Sequence, residues 1–458
     1  MRRRLRLPRL RSWRARIGAL AGVLVVLGLI ALGLVLYVHK RTGSVYHPNA
    51  PFKPEKTPTK PPPQPIAKFV WPFYGYTKTH RRYFPAPATM HPPFHRVWEA
   101  KESDLLEFPP VMSGARIFQL ADDGVLSAIS AKDGHIIWKR KLGKLSASTP
   151  AVVGGTVYVT LLSGDEGEGG RVMAVKAETG HTVWSHNLPS RSESSPLVDH
   201  GKVIFGTESG TVYALRASNG STIWTYQAAG AVKASPTLFK GLLYFGDYAG
   251  NIQAISERTG RRIWISASDG AAFGSGTFYS TAAVAYGRVY LGNTDGRIYA
   301  YDARTGKLDW AVQTGAYVYA SPAVTNAPGL GPTIYEGSYD GTFYALNARS
   351  GREEWTHAAS GPISGSATIV GKVVYFSNLK TYRTTGLNIT TGGEVFSINQ
   401  GAFDPVISDG EMLYLAGYNT LYALKPVTPR AASKPRPAKS APAPKGSQGA
   451  SRAHRSSH

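Results

Sequence analysis

The chain has 458 residues, with 50 glycines, 31 prolines, 25 tyrosines, no cysteine and a formal charge of +23. The missing cysteines exclude disulfide frameworks, thiolate metal sites, a cysteine nucleophile and a lipid-bearing N-terminal cysteine. Only 18% of residues are charged, and this glycine- and tyrosine-rich balance suits short strands and tight turns, not a coiled coil or a wholly disordered chain. The positive charge sits at the ends: residues 98–426 hold 27 Lys and Arg against 28 acids. So neutral a body lacks the basic face that phosphate neutralisation needs, which excludes specific nucleic-acid binding.

In chain order, residues 1–16 carry eight arginines, and they precede the uncharged run Ile17 to Val38. Its 22 residues reach about 33 Å as a helix, enough to cross a bilayer. The arginines place residues 1–16 in the cytoplasm and everything after Val38 outside it, in a single-pass protein of the inner or plasma membrane. The run is too long for a secretory signal and is followed at once by His39, Lys40 and Arg41, so it reads as an uncleaved anchor. Residues 39–70, rich in proline and lysine, read as an extended stalk. Residues 71–97 are too aromatic for a linker (Trp71, Phe73, Tyr74, Tyr76, Tyr83, Phe84, Phe94) and are expected to dock as a strap that shapes or covers the channel mouth of the domain that follows. Residues 427–458, a Pro/Ala/Ser/Lys-rich basic tail, are expected to be disordered.

Between these flanks one unit recurs. Gly210 to Trp224 (GTVYALRASNGSTIW), Gly250 to Trp264 (GNIQAISERTGRRIW), Gly296 to Trp310 (GRIYAYDARTGKLDW) and Gly341 to Trp355 (GTFYALNARSGREEW) are copies of it. Its anchor falls at Trp98, Trp138, Trp184, Trp224, Trp264, Trp310, Trp355 and Phe396, at intervals of 40 to 46 residues. Each unit alternates β-branched and aromatic residues between glycine turns such as Asp295-Gly296 and Asn219-Gly220, giving four antiparallel strands. That is the size and pattern of a propeller blade. The last unit, Phe403 to Pro426, stops after three strands, and an orphan strand around Trp98 precedes the first unit. Pairing the two closes an all-β, eight-bladed propeller over 98–426, leaving no exposed sheet edge at the join. The anchor aromatic is expected to fill the seam between blades.

These units (DARTGKLDW, GTVYALRA, GNTDGRIYA, ASPAV) resemble the PQQ-like β-propeller repeats of bacterial quinoprotein alcohol dehydrogenases and of BamB-type outer-membrane assembly proteins. The dehydrogenase branch of the resemblance implies a bound quinone with calcium or a lanthanide, a catalytic aspartate and an adjacent Cys-Cys pair. This chain has no cysteine, and no Glu, Asn and Asp set matches that metal site residue by residue. The BamB-type branch implies a scaffold, although its members are held by an N-terminal cysteine and this chain offers a transmembrane run instead.

Where propeller blades align on their Ser-Pro step, the residue two positions earlier varies as Glu107, Ala147, Glu193, Lys233, Tyr279, Tyr319, Ser364 and Ala402. Arg191 and Tyr317 stand two residues further upstream and share its side. Arg191, Glu193, Lys233, Tyr279, Tyr317 and Tyr319 are therefore the candidate binding rim, a mixed charged and aromatic set suited to a peptide, glycan or other polar ligand; the competing reading is a polar channel lining in which Glu193 merely pairs with Arg191 or Lys233. No catalytic or metal set is expected: His80, His91 and His95 read as ordinary packing or surface histidines, and Asp165, Glu166 and Glu168 as part of a flexible hairpin. GxSxG, P-loop and HExxH strings do not occur. The functional expectation is an extracytoplasmic scaffold, without cofactor, for envelope proteins or polymers. The alternative is a quinone-dependent oxidoreductase in which Lys233 and Arg191 meet the quinone carboxylates. A sensor that signals inward is the weakest reading, because only 16 residues precede the span.

Overall fold

The computed structural model describes residues 22–31, 43–55, 65–163, 169–270, 276–401, 403 and 406–427. Its strands form eight sheets, each built on four antiparallel strands and named blades 1 to 8 in chain order from Val111. Blade 3 is representative, with strands Leu197–Asp199, Lys202–Gly206, Thr211–Arg216 and Thr222–Gln227 running outward from the central channel. Blade 8 takes Val406–Ser408, Leu413–Ala416 and Thr420–Pro426 from the C-terminal side and Phe94–Lys101 from the N-terminal side. The register runs Leu421 to Ala100 and Ala423 to Trp98, so the ring closes as the repeat arithmetic predicts.

The anchor residues explain why the blades stack. Each of the seven tryptophans donates its indole N–H to a carbonyl on the next blade: Trp98 to Ala131, Trp138 to Ala177, Trp184 to Ala217, Trp224 to Glu257, Trp264 to Ala303, Trp310 to Ala348 and Trp355 to Ile389, at 2.8–3.3 Å. In blade 7 Phe396 cannot donate, and its ring packs edge-on against Phe94 of blade 8 at 5.5 Å. The glycine of the facing turn serves twice. Gly220 has φ +73°, and a Cβ there would stand 2.6 Å from the Trp184 ring. Each seam buries on the order of 150–250 Å² of aromatic surface, about 4–6 kcal/mol of transfer free energy.

A second ring of contacts lies at the channel. Thr149 N–H donates to Ser195 Oγ, Ser235 N–H to Thr281 Oγ1, Thr281 N–H to Ser321 Oγ and Ser321 N–H to Ser366 Oγ, at 2.9–3.0 Å. The hydroxyl at this step, before Pro196, Ala282, Pro322 or Ala367, thus ties one blade to the next, which is why a Ser or Thr recurs there.

The aromatic strap crosses the ring. The innermost strand of a blade has no sheet partner on its channel side, so its amides need acceptors. Pro72, Lys78, Thr79, Arg81 and Arg82 supply carbonyls to Val152, Leu238, Val284, Val324 and Ile369 of blades 2, 4, 5, 6 and 7 at 2.8–2.9 Å. Val70–Trp71 adds a strand to blade 1, Tyr83–Phe84 adds one to blade 7, and Lys78 pairs with Asp199 of blade 3. Tyr76, His80 and Arg82 all take positive φ, a left-handed strain that these contacts hold in place.

The expected stalk is corrected in part. Val45–Tyr46 pairs with Ala311 and Trp310 as a fifth strand on blade 5, Phe52 stacks on Tyr286 at 5.4 Å, and Glu55 pairs with Arg81. A proline-rich chain builds no core of its own, but it can borrow an open sheet edge. Of the proposed span 17–38, only 22–31 fall among the described residues; they are helical with exposed side chains. No helix among the described residues is long and apolar enough to cross a membrane. The tail from 428 onward and the acidic hairpin at Asp165, Glu166 and Glu168 lie outside the described residues.

Candidate functional site

The lead-in to each inner strand alternates strictly. Val232, Phe278, Val318 and Ile363 are fully buried, and each lies where a Cβ on Gly206, Gly246, Gly292 or Gly337 of the preceding blade would collide with it. The residues on either side of them are thereby turned toward the channel. Of the column singled out in the sequence, Glu107, Glu193, Lys233, Tyr279, Tyr319 and Ser364 line one cup, together with Ser195, Ser235, Thr281, Ser321 and Ser366; Tyr74 of the strap and Phe108 complete it, with Phe403 beside Gly365. Tyr74 hydroxyl meets Ser366 Oγ at 2.8 Å, so the strap forms a floor. The free space is about 40 Å³, room for a few ordered waters.

Lys233 is the centre of charge. Its ammonium lies 2.6 Å from Glu193 and 3.0 Å from Glu208, and 5.4 Å from the centre of the Tyr248 ring. Tyr279 hydroxyl donates to Glu193 Oε2 at 3.4 Å. Arg191 stands outside the cup lining, 3.8 Å from Glu208 and half exposed. Burial would lower the Lys233 pKa, but hydrogen bonds and charge from Glu193 and Glu208 outweigh it and raise the pKa. Burial raises Glu193 despite Lys233, whereas at Glu208 the pull of Lys233 and Arg191 overcomes burial and keeps the carboxyl below its usual range. Burial pushes the Tyr279 phenol well up, and Tyr319 less so.

The opposite wall is aromatic. Tyr279 meets Tyr319 at 5.7 Å, Tyr317 meets Tyr319 at 6.0 Å and Tyr319 meets Tyr339 at 5.0 Å, all edge-on. Tyr317 is 54% exposed and stands at the lip. The structure therefore brings all six predicted residues to one end of the channel, four in the lining and two at its margin. Glu208, Tyr248 and Tyr339 escaped the sequence reading. They hold equivalent places in the turn after each second strand, where their amides donate to Arg191, Ala231 and Tyr317. Comparing turn columns as well as strand columns would have found them.

Deeper in the channel Arg82 is buried, with its guanidinium 3.8 Å from the Tyr74 ring centre. His80 is fully buried and is kept neutral by burial and by Arg82. Asp199, His200 and Glu257 converge where the ends of blades 3 and 4 meet. Lys78 and Lys202 supply the positive charge there, making it an ion-pair network.

A family model described as outer membrane protein assembly factor BamB matches residues 95–237, 168–323 and 322–424, nearly the whole ring. The chain belongs to this PQQ-like β-propeller family. Among solved structures, BamB from Moraxella catarrhalis is 20% identical with a TM-score of 0.61, covering 73% of this chain and 100% of its own. A europium-containing methanol dehydrogenase is 14% identical with a TM-score of 0.65, covering 78% and 98%. The quinohemoprotein alcohol dehydrogenase of Comamonas testosteroni is 15% identical with a TM-score of 0.63, covering 78% and 80%. At these identities the likeness is one of fold, shared by an assembly factor and by enzymes. No curated protein matches the chain in sequence.

Proposed function

We propose that the protein is a scaffold held by residues 17–38 with its propeller outside the cytoplasm, and that the tyrosine-lined lip of the cup docks a segment of an envelope protein or polymer. One observation carries this reading: the lysine in the cup lining is already paired with carboxylates. Lys233 is shared by Glu193 and Glu208, which leaves an amphipathic wall with no activated nucleophile. Partly packed tyrosines such as Tyr317 and Tyr319 are what recognition surfaces favour. The family's description as an assembly factor supports the same reading.

The likeness to quinoprotein dehydrogenases raises the alternative of a bound quinone, and the residues of the cup fit that group poorly. A carboxylate-bearing quinone needs a surplus of cations, whereas Lys233 is already shared by Glu193 and Glu208 and Glu107 stands in the same lining.

The test places a photo-crosslinking residue at Tyr317 in the full chain in its native membrane. A discrete adduct that disappears in Lys233→Met and Tyr319→Ala variants, and is absent when the crosslinker sits at Ile263 on the outer edge, supports the cup. Adducts unchanged by those substitutions remove it.

A further inference from the structure

The turn between the third and fourth strands faces outward at the same end of every complete blade, and its charge differs sharply around the ring. In blades 4 and 5 it carries Arg258, Arg261 and Arg262, then Arg304 and Lys307, all exposed. The acids within reach are committed. Glu257 is buried against Lys202 at 2.6 Å, and Asp302 caps its own turn by accepting the amides of Arg304 and Thr305. Elsewhere the same turn is balanced, uncharged or acidic: Lys132, Asp133 and His135 in blade 1, Glu178 and His181 in blade 2, Ser218 and Asn219 in blade 3, Arg349 and Arg352 against Glu353 and Glu354 in blade 6, and Glu394 after the turn in blade 7. The two basic turns are neighbours, since Trp264 of blade 4 donates to Ala303 in the turn of blade 5.

The N-terminal segment docks on the blade 5 side of this arc. Val45–Tyr46 lies along the outer strand of blade 5, His47 N–H donates to Asp309 carbonyl at 2.9 Å, and residues 47–51 share a cleft with Arg304, Thr305 and Lys307. Phe52 then sits between Arg288 and Arg349, 5.1 and 5.9 Å from the ring centre. Blade 5 is altered to receive it. The exposed β-branched residue that precedes the anchor in blades 1 to 4 (Ile137, Val183, Ile223, Ile263) is replaced by Asp309, which is buried against Arg288 at 2.6 Å.

We propose that this basic arc is a lipid-facing surface, pressed against anionic phospholipid headgroups of the membrane that the same chain enters. The proposal rests on the anchoring reading above. Only six residues separate Val38 from Val45, and extended they span at most about 20–25 Å. A tether that short, fastened to the rim of blade 5, holds that rim within two or three screening lengths of the bilayer, close enough for clustered arginines to act on headgroup charge. The propeller then stands on its edge. Its channel opens sideways along the membrane, and blade 1, on the far side of the ring, points away from it.

The absence of cysteine makes the test clean. A donor fluorophore is attached to Lys307→Cys or, separately, to Lys132→Cys in the full-length chain, reconstituted in phosphatidylcholine vesicles with or without about one-third phosphatidylglycerol and with an acceptor on the headgroups. The expected result is quenching at 307 about threefold greater than at 132 with phosphatidylglycerol, shrinking in its absence, in about 0.5 M salt and in Arg258→Glu/Arg262→Glu. Equal quenching at the two sites, or a difference indifferent to phosphatidylglycerol and salt, overturns the proposal, and the unsubstituted arc alone decides this if the charge-reversed variant folds poorly. Flotation of the same vesicles separates the two failures. A chain that does not float with lipid overturns the anchoring and this surface together, whereas a chain that floats without the site difference overturns only the surface.

Discussion

The blade seams and the strap solve opposite problems with the same chemistry. A seam repeats one device around the ring: an aromatic ring, a glycine turn that makes room for it and, in seven cases, an indole N–H bonded across. The strap repeats nothing; it meets each blade differently, satisfying lone amides and burying Arg82 and His80 with ring nitrogens or guanidinium nitrogens that have no hydrogen-bond partner. Seams therefore secure the wheel, and the strap tolerates costly groups because the wheel is already secure.

The sharpest way to break that contrast is Trp310→Ala, which empties the most buried anchor, 1% exposed, beneath the added N-terminal strand. It is expected to cost about 3–5 kcal/mol, read as an earlier midpoint in denaturant unfolding. A loss below about 1 kcal/mol would mean that the seams are not what holds neighbouring blades.

Glu336 tests the other side. It stands in blade 6 where Phe205, Phe245 and Phe376 stand in blades 3, 4 and 7, fully buried, with no hydrogen-bond partner on either carboxylate oxygen. Burial holds its pKa well above the usual carboxylate range, and Arg82 offsets this only in part. The folded chain thus keeps a proton that the unfolded chain loses near about pH 4.3, so this group makes stability fall as pH rises beyond that point. Glu336→Leu is expected to raise stability at neutral pH by about 2 kcal/mol and to flatten that decline. Melts at pH 4 and pH 8 check it, and a leucine variant less stable at pH 8 than the parent would show that the carboxyl has a partner after all.

The smallest effect separates packing from bonding within a seam. Trp355→Phe copies what blade 7 already does with Phe396, keeping most of the ring and deleting the bond to Ile389. About 1 kcal/mol should be lost, and no detectable change would assign the whole seam to packing.

The fold was legible in the sequence because a blade is written eight times, and a strand missing at one end and left over at the other can only mean closure. The cup was legible for the same reason turned around: Glu193, Lys233, Tyr279 and Tyr319 break a column that is otherwise regular. Glu208, Tyr248 and Tyr339 were hidden because turn positions were read only for their glycines. The strap's route was hidden because its partners are main-chain amides, which leave no trace in side-chain pattern. The docking of residues 43–55 was hidden because two paired residues, Val45 and Tyr46, make no periodicity, and because the compensating Asp309 is visible only beside its ion-pair partner Arg288.

The strap precedes every complete blade in the chain. As the polypeptide emerges it is therefore already in place when the first sheet forms, and the later sheets are laid down around it like staves around a rod. Nothing has to be threaded through a finished hole, and the final hoop is drawn tight only when the last strand, Thr420–Pro426, meets the one that has waited since the beginning.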